Sequence, residues 1–410
     1  MTLDNQQEER VRGAFAALTD FTPVGAEFDE LTDVYIAPSV RPLVSSESQR
    51  GWLIAVAGAV VVLILGLLTV LTRETDPELS ASAFTWSRVP YDEAVFGGSG
   101  AQSMSSVTVG GPGLVAVGSS WDGEEDRNVG VAVVWTSPDG VVWSRVPHDE
   151  AVFGGSGAQS MSSVTVGGPG LVAVGSSWEE DRTDVAAAVW TSPDGVNWSR
   201  VPHNKEIFGG AGFQNMQSVT VGGPGLVAVG SEDGGLEPGA AVWTSVDGIT
   251  WSRVPHNKEI FGGEDSRQMQ TDGAGRKAMN GVTAGGPGLV AVGSDGFDAA
   301  VWTSPDGVTW SRVPHDESVF GGATTQSMWS VTVASPGLVA VGGDSSGDDV
   351  AAAVWTSPDG VNWSRVPHNK EVFGGAGFQN MQGVTVGGPG LVAVGDAESD
   401  AAVWLAATED

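Results

Sequence analysis

At 410 residues, with 60 Gly, 16 Trp, no Cys and a formal net charge of −31, the chain has the turn-formers and large apolar rings of many short strands and nothing for disulfides or cysteine-ligated metals. The acidic balance excludes nucleic acid and other polyanions as natural partners, while the missing cysteines leave the redox compartment open. Residues from 83 onward carry 14 Lys+Arg against 38 Asp+Glu, so most of the charge lies there.

Residues 1–50 are polar and acidic, and Val11, Phe15 and Leu18 share one helical face before Pro23, Pro38 and Pro42 interrupt the chain. The segment reads as a mostly disordered tail with a short helix; a docking helix for an intracellular partner is the alternative. Residues 51–72 carry no charge between Arg50 and Arg73. At about 1.5 Å rise per residue they can cross a hydrocarbon core of about 30 Å, and the run is too long and too far from the N-terminus for a signal peptide. A single transmembrane helix is expected, followed by a linker over residues 73–82. Arg41 and Arg50 before the span, against Arg73 after it, favour a cytoplasmic N-terminus and repeats outside the cell.

From residue 83 the chain repeats itself. Tryptophans of a W-S-R-V-P segment fall at Trp86, Trp143, Trp198, Trp251, Trp310 and Trp363, and those of an A-V-W segment at Trp135, Trp190, Trp243, Trp302, Trp355 and Trp404. The two series are offset, so the first W-S-R-V-P and the last A-V-W are expected to complete each other. Each unit offers four runs with strand character, which in the third unit are 216–221, 226–231, 240–245 and 249–255. The first two runs are linked by G-G-P-G from Gly110, Gly167, Gly222, Gly285 and Gly387, or A-S-P-G from Ala334. The last two are linked by S-P-D-G or S-V-D-G, a hairpin signal. Radial packing of such meanders predicts an all-β, six-bladed β-propeller of four-stranded blades over residues 83–410. Residues 84–90 would supply the outer strand of the blade built from 381–405.

The segment S-P-D-G-V-T-W at 304–310 resembles the Asp-box (BNR) repeat of sialidase-like propellers, with further copies opening at Ser137, Ser192, Ser245 and Ser357. Here the box is one residue shorter than the usual pattern, with Asp and Gly adjacent. The resemblance implies that the boxes are structural and lie on the face opposite the ligand site. A sialidase also needs three arginines around a carboxylate, a Tyr and Glu pair, and an Asp acid. This chain has two tyrosines, Tyr35 and Tyr91, and its W-S-R-V-P arginines (Arg88, Arg145, Arg200, Arg253, Arg312, Arg365) recur in every unit, which marks them as packing or ion-pair elements.

All five histidines, His148, His203, His256, His315 and His368, follow V-P at one repeat position, with Tyr91 in the sixth place. On outer strands roughly 14 Å from the inner ones they cannot share an ion that needs nitrogens at about 2.1 Å, so they read as structural, with pairing inside each local turn left open. Met104, Met161, Met216, Met279, Met328 and Met381 open the first strands as gap-fillers near the channel mouth or between blades. Residues 86–121 and 143–178 agree at 35 of 36 positions, which leaves little room for a division of catalytic labour. No catalytic residue and no metal ligand is assigned.

Asymmetry is confined to loops. The acidic links 122–126, 179–184 and 344–349 are candidates for Ca²⁺ or simply solvated charge, and Trp121 and Trp178 stand at the start of two of them. A single insertion, 264–278, brings Arg267, Arg276 and Lys277 to an otherwise acidic rim. Arg267, Arg276, Lys277, Trp121 and Trp178 are therefore the candidate ligand-binding residues. The expected function is a single-pass, membrane-anchored extracellular propeller, monomeric, binding a protein or glycan through its loop face. A sialidase-like glycoside hydrolase and a transmembrane sensor signalling through the tail are the alternatives.

Overall fold

The computed structural model describes residues 79–80, 92–97, 102–121, 130–155, 157–178, 185–210, 212–233, 239–262, 277–322, 325–335, 337–346, 349–374, 379–387, 390–397 and 400–408. The expected tail helix, the uncharged run 51–72 and the expected strand 84–90 lie outside the described residues. Among the described residues no helix is long and apolar enough to cross a membrane. The chain divides into two compact units, residues 1–80 with 408–410, and residues 81–407. Of the first, only the two-residue strand Leu79–Ser80 and Thr408 are described.

The second unit is all-β, built of antiparallel four-stranded meanders. The first runs Gln102–Gly110, Gly113–Trp121, Gly130–Ser137 and Ser144–Arg145; the second Gln159–Gly167, Gly170–Trp178, Val185–Ser192 and Ser199–Arg200. The third runs Phe213–Gly222, Gly225–Asp233, Gly239–Ser245 and Trp251–Arg253; the fourth Lys277–Gly285, Gly288–Asp295, Asp298–Ser304 and Ser311–Arg312. The fifth runs Gln326–Ala334, Gly337–Ser346, Asp349–Ser357 and Ser364–Arg365, and a sixth group follows as Gln379–Gly387, Gly390–Ala397 and Asp400–Thr408.

Two features depart from the sequence reading. The outer strand, expected over 249–255 in the third meander, is only Trp251–Arg253. Its start is consumed by the preceding turn, and Pro255 has no N–H to extend the ladder. Between each outer strand and the next first strand the chain also makes one helical turn, as in Glu93–Phe96, Glu150–Phe153, Glu317–Phe320 and Lys370–Phe373. Asp92, Asp149, Asp316 or Asn369 caps the turn by accepting the backbone N–H two residues on.

These helical turns aim a carbonyl at the buried tryptophan of the next meander. Trp190 Nε1 donates to Val152 O at 2.7 Å, Trp243 to Ile207 O at 2.8 Å, Trp302 to Ile260 O at 3.0 Å and Trp355 to Val319 O at 2.8 Å. The indole is thus apolar packing with its one polar atom satisfied.

The apolar core lies between consecutive meanders rather than within any one. Val115, Val117, Ala132 and Val134 of the first pack on Met161, Val164, Leu171 and Trp190 of the second, with Val146 and Phe153 of the connecting segment. The same pattern joins second to third, third to fourth and fourth to fifth. The second, third and fourth sheets therefore bury both faces, one against each neighbour, which is the packing of a β-propeller. Met161, Met216, Met279 and Met328 are 0% exposed in these interfaces, whereas Met104 of the first meander is 43% exposed. Inner strands are also tied by serine: Val164 N–H donates to Ser106 Oγ and Val219 N–H to Ser163 Oγ, both at 3.3 Å.

The S-P-D-G turns explain why Ser, Asp, Gly and Trp recur at fixed spacing. In the second meander Ser192 Oγ accepts Gly195 N–H at 2.8 Å, Asp194 Oδ1 accepts Val196 and Asn197 N–H at 2.9 and 2.7 Å, and Trp198 Nε1 donates to Gly195 O at 2.9 Å. Gly195 sits at φ 80°, the left-handed region, and a Cβ there would meet Val115 Cγ2 of the first meander at 2.7 Å. The turns of the second to fifth meanders therefore also dock on the preceding meander, Gly248 on Val172, Gly307 on Val227 and Gly360 on Val290. The G-G-P-G turn supplies the facing surface: a Cβ on Gly111, at φ 58°, would meet Asp194 O at 2.6 Å.

Backbone N–H donation from Asn197 or Asn362, with their side-chain amides next, lowers the Asp194 and Asp359 carboxyls to about 2. Donation from Thr250 and Ile249 N–H, and from Thr309 and Val308 N–H, does the same for Asp247 and Asp306. A carboxyl depressed on folding contributes stability that is complete above its unfolded value, about 3.9, and is lost as pH falls through the folded one. The melting temperature is therefore expected to fall between about pH 4 and pH 2. Replacing Asp194, Asp247, Asp306 and Asp359 together with Asn should flatten that slope in thermal melts followed by circular dichroism; an unchanged slope would contradict the assignment.

Candidate functional site

Among the described residues the W-S-R-V-P arginines lie along their own meanders. Arg200, Arg253, Arg312 and Arg365 place the guanidinium 5.7, 5.4, 5.7 and 5.6 Å from the ring centroids of Trp190, Trp243, Trp302 and Trp355. They do not converge. Three continue to a carboxylate at the end of the second strand: Arg253 pairs with Glu232, Arg312 with Asp295 at 3.0 Å, and Arg365 with Asp344.

The histidines stay equally local. Each ring stands 6.3 to 6.4 Å from the phenylalanine of the following turn, from His148 and Phe153 through His368 and Phe373. His256 Nδ1 reaches Glu232 Oε1 at 2.8 Å and His148 Nε2 reaches Glu150 Oε2 at 3.0 Å. Among the described residues one group of three metal-ligating side chains comes together, Asp298, His315 and Glu317, with ligand atoms within 4.8 Å. Its ionisable groups already satisfy one another, with His315 Nε2 3.1 Å from Glu317 and 3.7 Å from Asp298. Burial is the first cause, and nearby Glu317 and Asp295 add to it, in raising the Asp298 carboxyl above its ordinary range, where His315 and Arg312 pull the other way.

Of the sequence candidates, Arg267 and Arg276 and the acidic segments 122–126 and 179–184 lie outside the described residues. Lys277 opens the first strand of the fourth meander, mostly buried, with Nζ 3.6 Å from Asp295 Oδ2, the oxygen that also takes Arg312. Trp121 is exposed at the end of its strand. Trp178 is half-buried and meets Phe213 of the third meander edge-on, ring centroids 5.5 Å apart and 78° between planes.

Trp178 borders a cavity of about 470 Å³ lined also by Gln159, Ser177, Ala186, Arg200, Pro202 and His203. Arg200 carries no acidic partner among the described residues, and burial pushes its guanidinium below the ordinary value. Sequence reasoning singled out Trp178 but grouped Arg200 with five equivalents. The missing signal was one position upstream of the tryptophan, where Ser177 stands in place of an acid.

No family model matches the chain, and no curated protein matches it. Among solved structures it is similar to a Penicillium chrysogenum α-L-arabinanase complexed with arabinobiose, at 15% identity and TM-score 0.45, over 73% of this chain and 91% of that one. It is also similar to an exo-β-1,3-galactanase from Clostridium thermocellum, at 14% identity and TM-score 0.35, over 63% and 60% of the two chains. A Bombyx mori GH32 β-fructofuranosidase matches at 11% identity and TM-score 0.36, over 68% and 57%. Likeness at this level carries no functional argument. What the residues themselves define is a repeat protein of propeller-type, face-packed β-meanders.

Proposed function

We propose that this chain is a single-pass, membrane-anchored β-propeller of six Asp-box blades, closed into a ring, that binds a glycan through its loop face without turning it over. The observation that carries the reading is the cavity beside Trp178, where an aromatic ring and an arginine with no acidic partner among the described residues border one opening at the end of the second meander's second strand. A concave site with an apolar wall and few polar groups is the usual form of a small-ligand pocket, and about 470 Å³ falls in the ordinary range of such pockets. Against catalysis stands the local placement of these side chains: Arg200, Arg253, Arg312 and Arg365 each lie over a tryptophan of their own meander, and the five histidines each lie beside the phenylalanine of the following turn, with no convergence among the described residues. The uncharged run 51–72 and its arginine asymmetry support the anchor and an extracellular ring. Lys277 and Gln159 hold corresponding places in their meanders, paired with Asp295 and Ser177.

The test is a glycan array probed with the full-length chain in nanodiscs, with reducing-sugar release measured on every hit. Binding without release is expected. Release that survives repeated purification would promote a hydrolase, and silence across all glycans would remove the binding reading.

A further inference from the structure

The repeats serve as reference sites for one another. Seven residues after the glycine that opens each second strand, the third, fourth and fifth meanders carry Glu232, Asp295 and Asp344, whereas the first and second carry Ser120 and Ser177. Glu232 takes Arg253 on one oxygen and His256 Nδ1 on the other, at 2.8 Å. Asp295 takes Arg312 Nη2 at 3.0 Å and Lys277 Nζ at 3.6 Å. Asp344 takes Arg365, and Gln326 Nε2 at 2.8 Å. Three times over, the outer-strand arginine and a second donor hold one carboxylate at this place.

In the second meander the donors remain and the carboxylate is gone. Arg200, Gln159 and His203 border the cavity, Ser177 is too short to reach as Asp344 does, and no acid among the described residues pairs with Arg200. Gln159 is 2% exposed, and its amide donates to Gly157 O at 3.2 Å rather than across the strands, as Gln102 and Gln326 do. A guanidinium withdrawn from water without a counter-charge is costly and awaits an anion. The first meander differs. There Gln102 Nε2 closes on Ser120 Oγ at 2.7 Å and Arg145 Nη1 donates to Gly97 O at 3.5 Å, so the cradle is filled from within.

We propose that the cavity beside Trp178 binds a uronic acid residue of a glycan, its carboxylate occupying the place that Asp344 fills in the fifth meander and its ring lying on Trp178. The inference rests on the glycan-binding reading of the loop face. A guanidinium holds a carboxylate by paired, charge-assisted hydrogen bonds, which a neutral hydroxyl cannot reproduce. The net charge of −31 disfavours a densely acidic peptide, whereas one carboxylate on an otherwise neutral carbohydrate escapes most of that repulsion. The edge contact with Phe213 fixes the indole as a platform.

The test is calorimetric titration of the full-length chain with a glucuronate-terminated oligosaccharide and its glucose-terminated analogue. The glucuronate form is expected to bind at least about tenfold tighter, with the preference shrinking at high salt. Ser177→Asp supplies the carboxylate the neighbouring repeats carry, so it should fold, melt no lower than the parent and lose the preference. Arg200→Met should lose it too, and Trp178→Ala should weaken both ligands. Equal binding of the two sugars, unaffected by Ser177→Asp and Arg200→Met, would overturn the proposal while leaving glycan binding intact. Stronger capture of a tetra-aspartate peptide, abolished by Ser177→Asp, would replace the uronate with an acidic peptide. Failure of the parent to bind any glycan would remove both readings.

Discussion

Trp243→Ala is expected to destabilise the repeat unit by about 3–5 kcal/mol, the range for deleting a buried tryptophan side chain. The ring is fully buried between Val172, Val174 and Val189 of the second meander and Phe208, Met216 and Leu226 around it. Its Nε1 is the partner of Ile207 O at 2.8 Å, so truncation also orphans a carbonyl, at about 1–3 kcal/mol if water does not reach it. Arg253 loses the ring it lies over, which loosens its hold on Glu232. Trp243→Phe keeps much of the packing and should show mainly the hydrogen-bond loss. Urea unfolding followed by circular dichroism separates the two, with Val246→Ala on the exposed turn as the reference expected within about 0.5 kcal/mol. A Trp243→Ala midpoint equal to that reference would mean that the interface between meanders is not where the stability resides.

The meanders were legible because their punctuation is local. Gly195 and Asp194 announce a turn by their own chemistry, and the alternation in V-T-V and L-V-A-V announces strands, so element order and turn positions followed from short windows. What short windows hide is the relation between neighbours. S-P-D-G reads as a hairpin turn, yet Gly195 is also needed because Val115 of the preceding meander packs against it. G-G-P-G reads as a tight link, yet Gly111 must also admit Asp194 O. E-A-V-F lacks the length to predict a helix, and its one turn exists because capping by Asp149 and the indole of Trp190 fix it from both sides.

The site was half legible for a related reason. Trp178 stood out as an aromatic at the head of a variable loop, which is a property of one residue. Arg200 did not, because six copies of W-S-R-V-P look alike until the partner of each arginine is known. That partner lies 21 residues upstream in the third and fifth meanders, in Glu232 and Asp344. Similar residues thus carry dissimilar roles: Arg365 is neutralised at home, whereas Arg200 faces a cavity. Comparing repeat with repeat at the level of ion pairs, rather than of letters, is what separates them.

Met104→Ala is expected to cost as much as Met216→Ala, about 2–5 kcal/mol, if the proposed ring is closed. In each consecutive interface the methionine and valine that open a first strand meet the valines of the preceding second strand, as Met161 and Val164 meet Val115 and Val117. The first meander presents the same pair uncovered, Met104 at 43% and Val107 at 58% exposure, while Val394 of the sixth group, the counterpart of Val117, is 45% exposed. Two surfaces that are complementary by repeat identity are thus open at opposite ends of the stack, and joining them would bury on Met104 and Val107 what every other meander buries. An open stack predicts a different result, because truncating a half-exposed methionine costs about 0.5 kcal/mol or less. Paired urea titrations of Met104→Ala and Met216→Ala decide between the two: equal losses support closure, and a silent Met104→Ala beside a costly Met216→Ala refutes it. Sedimentation of the same variants adds a second readout, since two uncovered faces of matching shape in an open stack would join copies head to tail and make the mass depend on concentration.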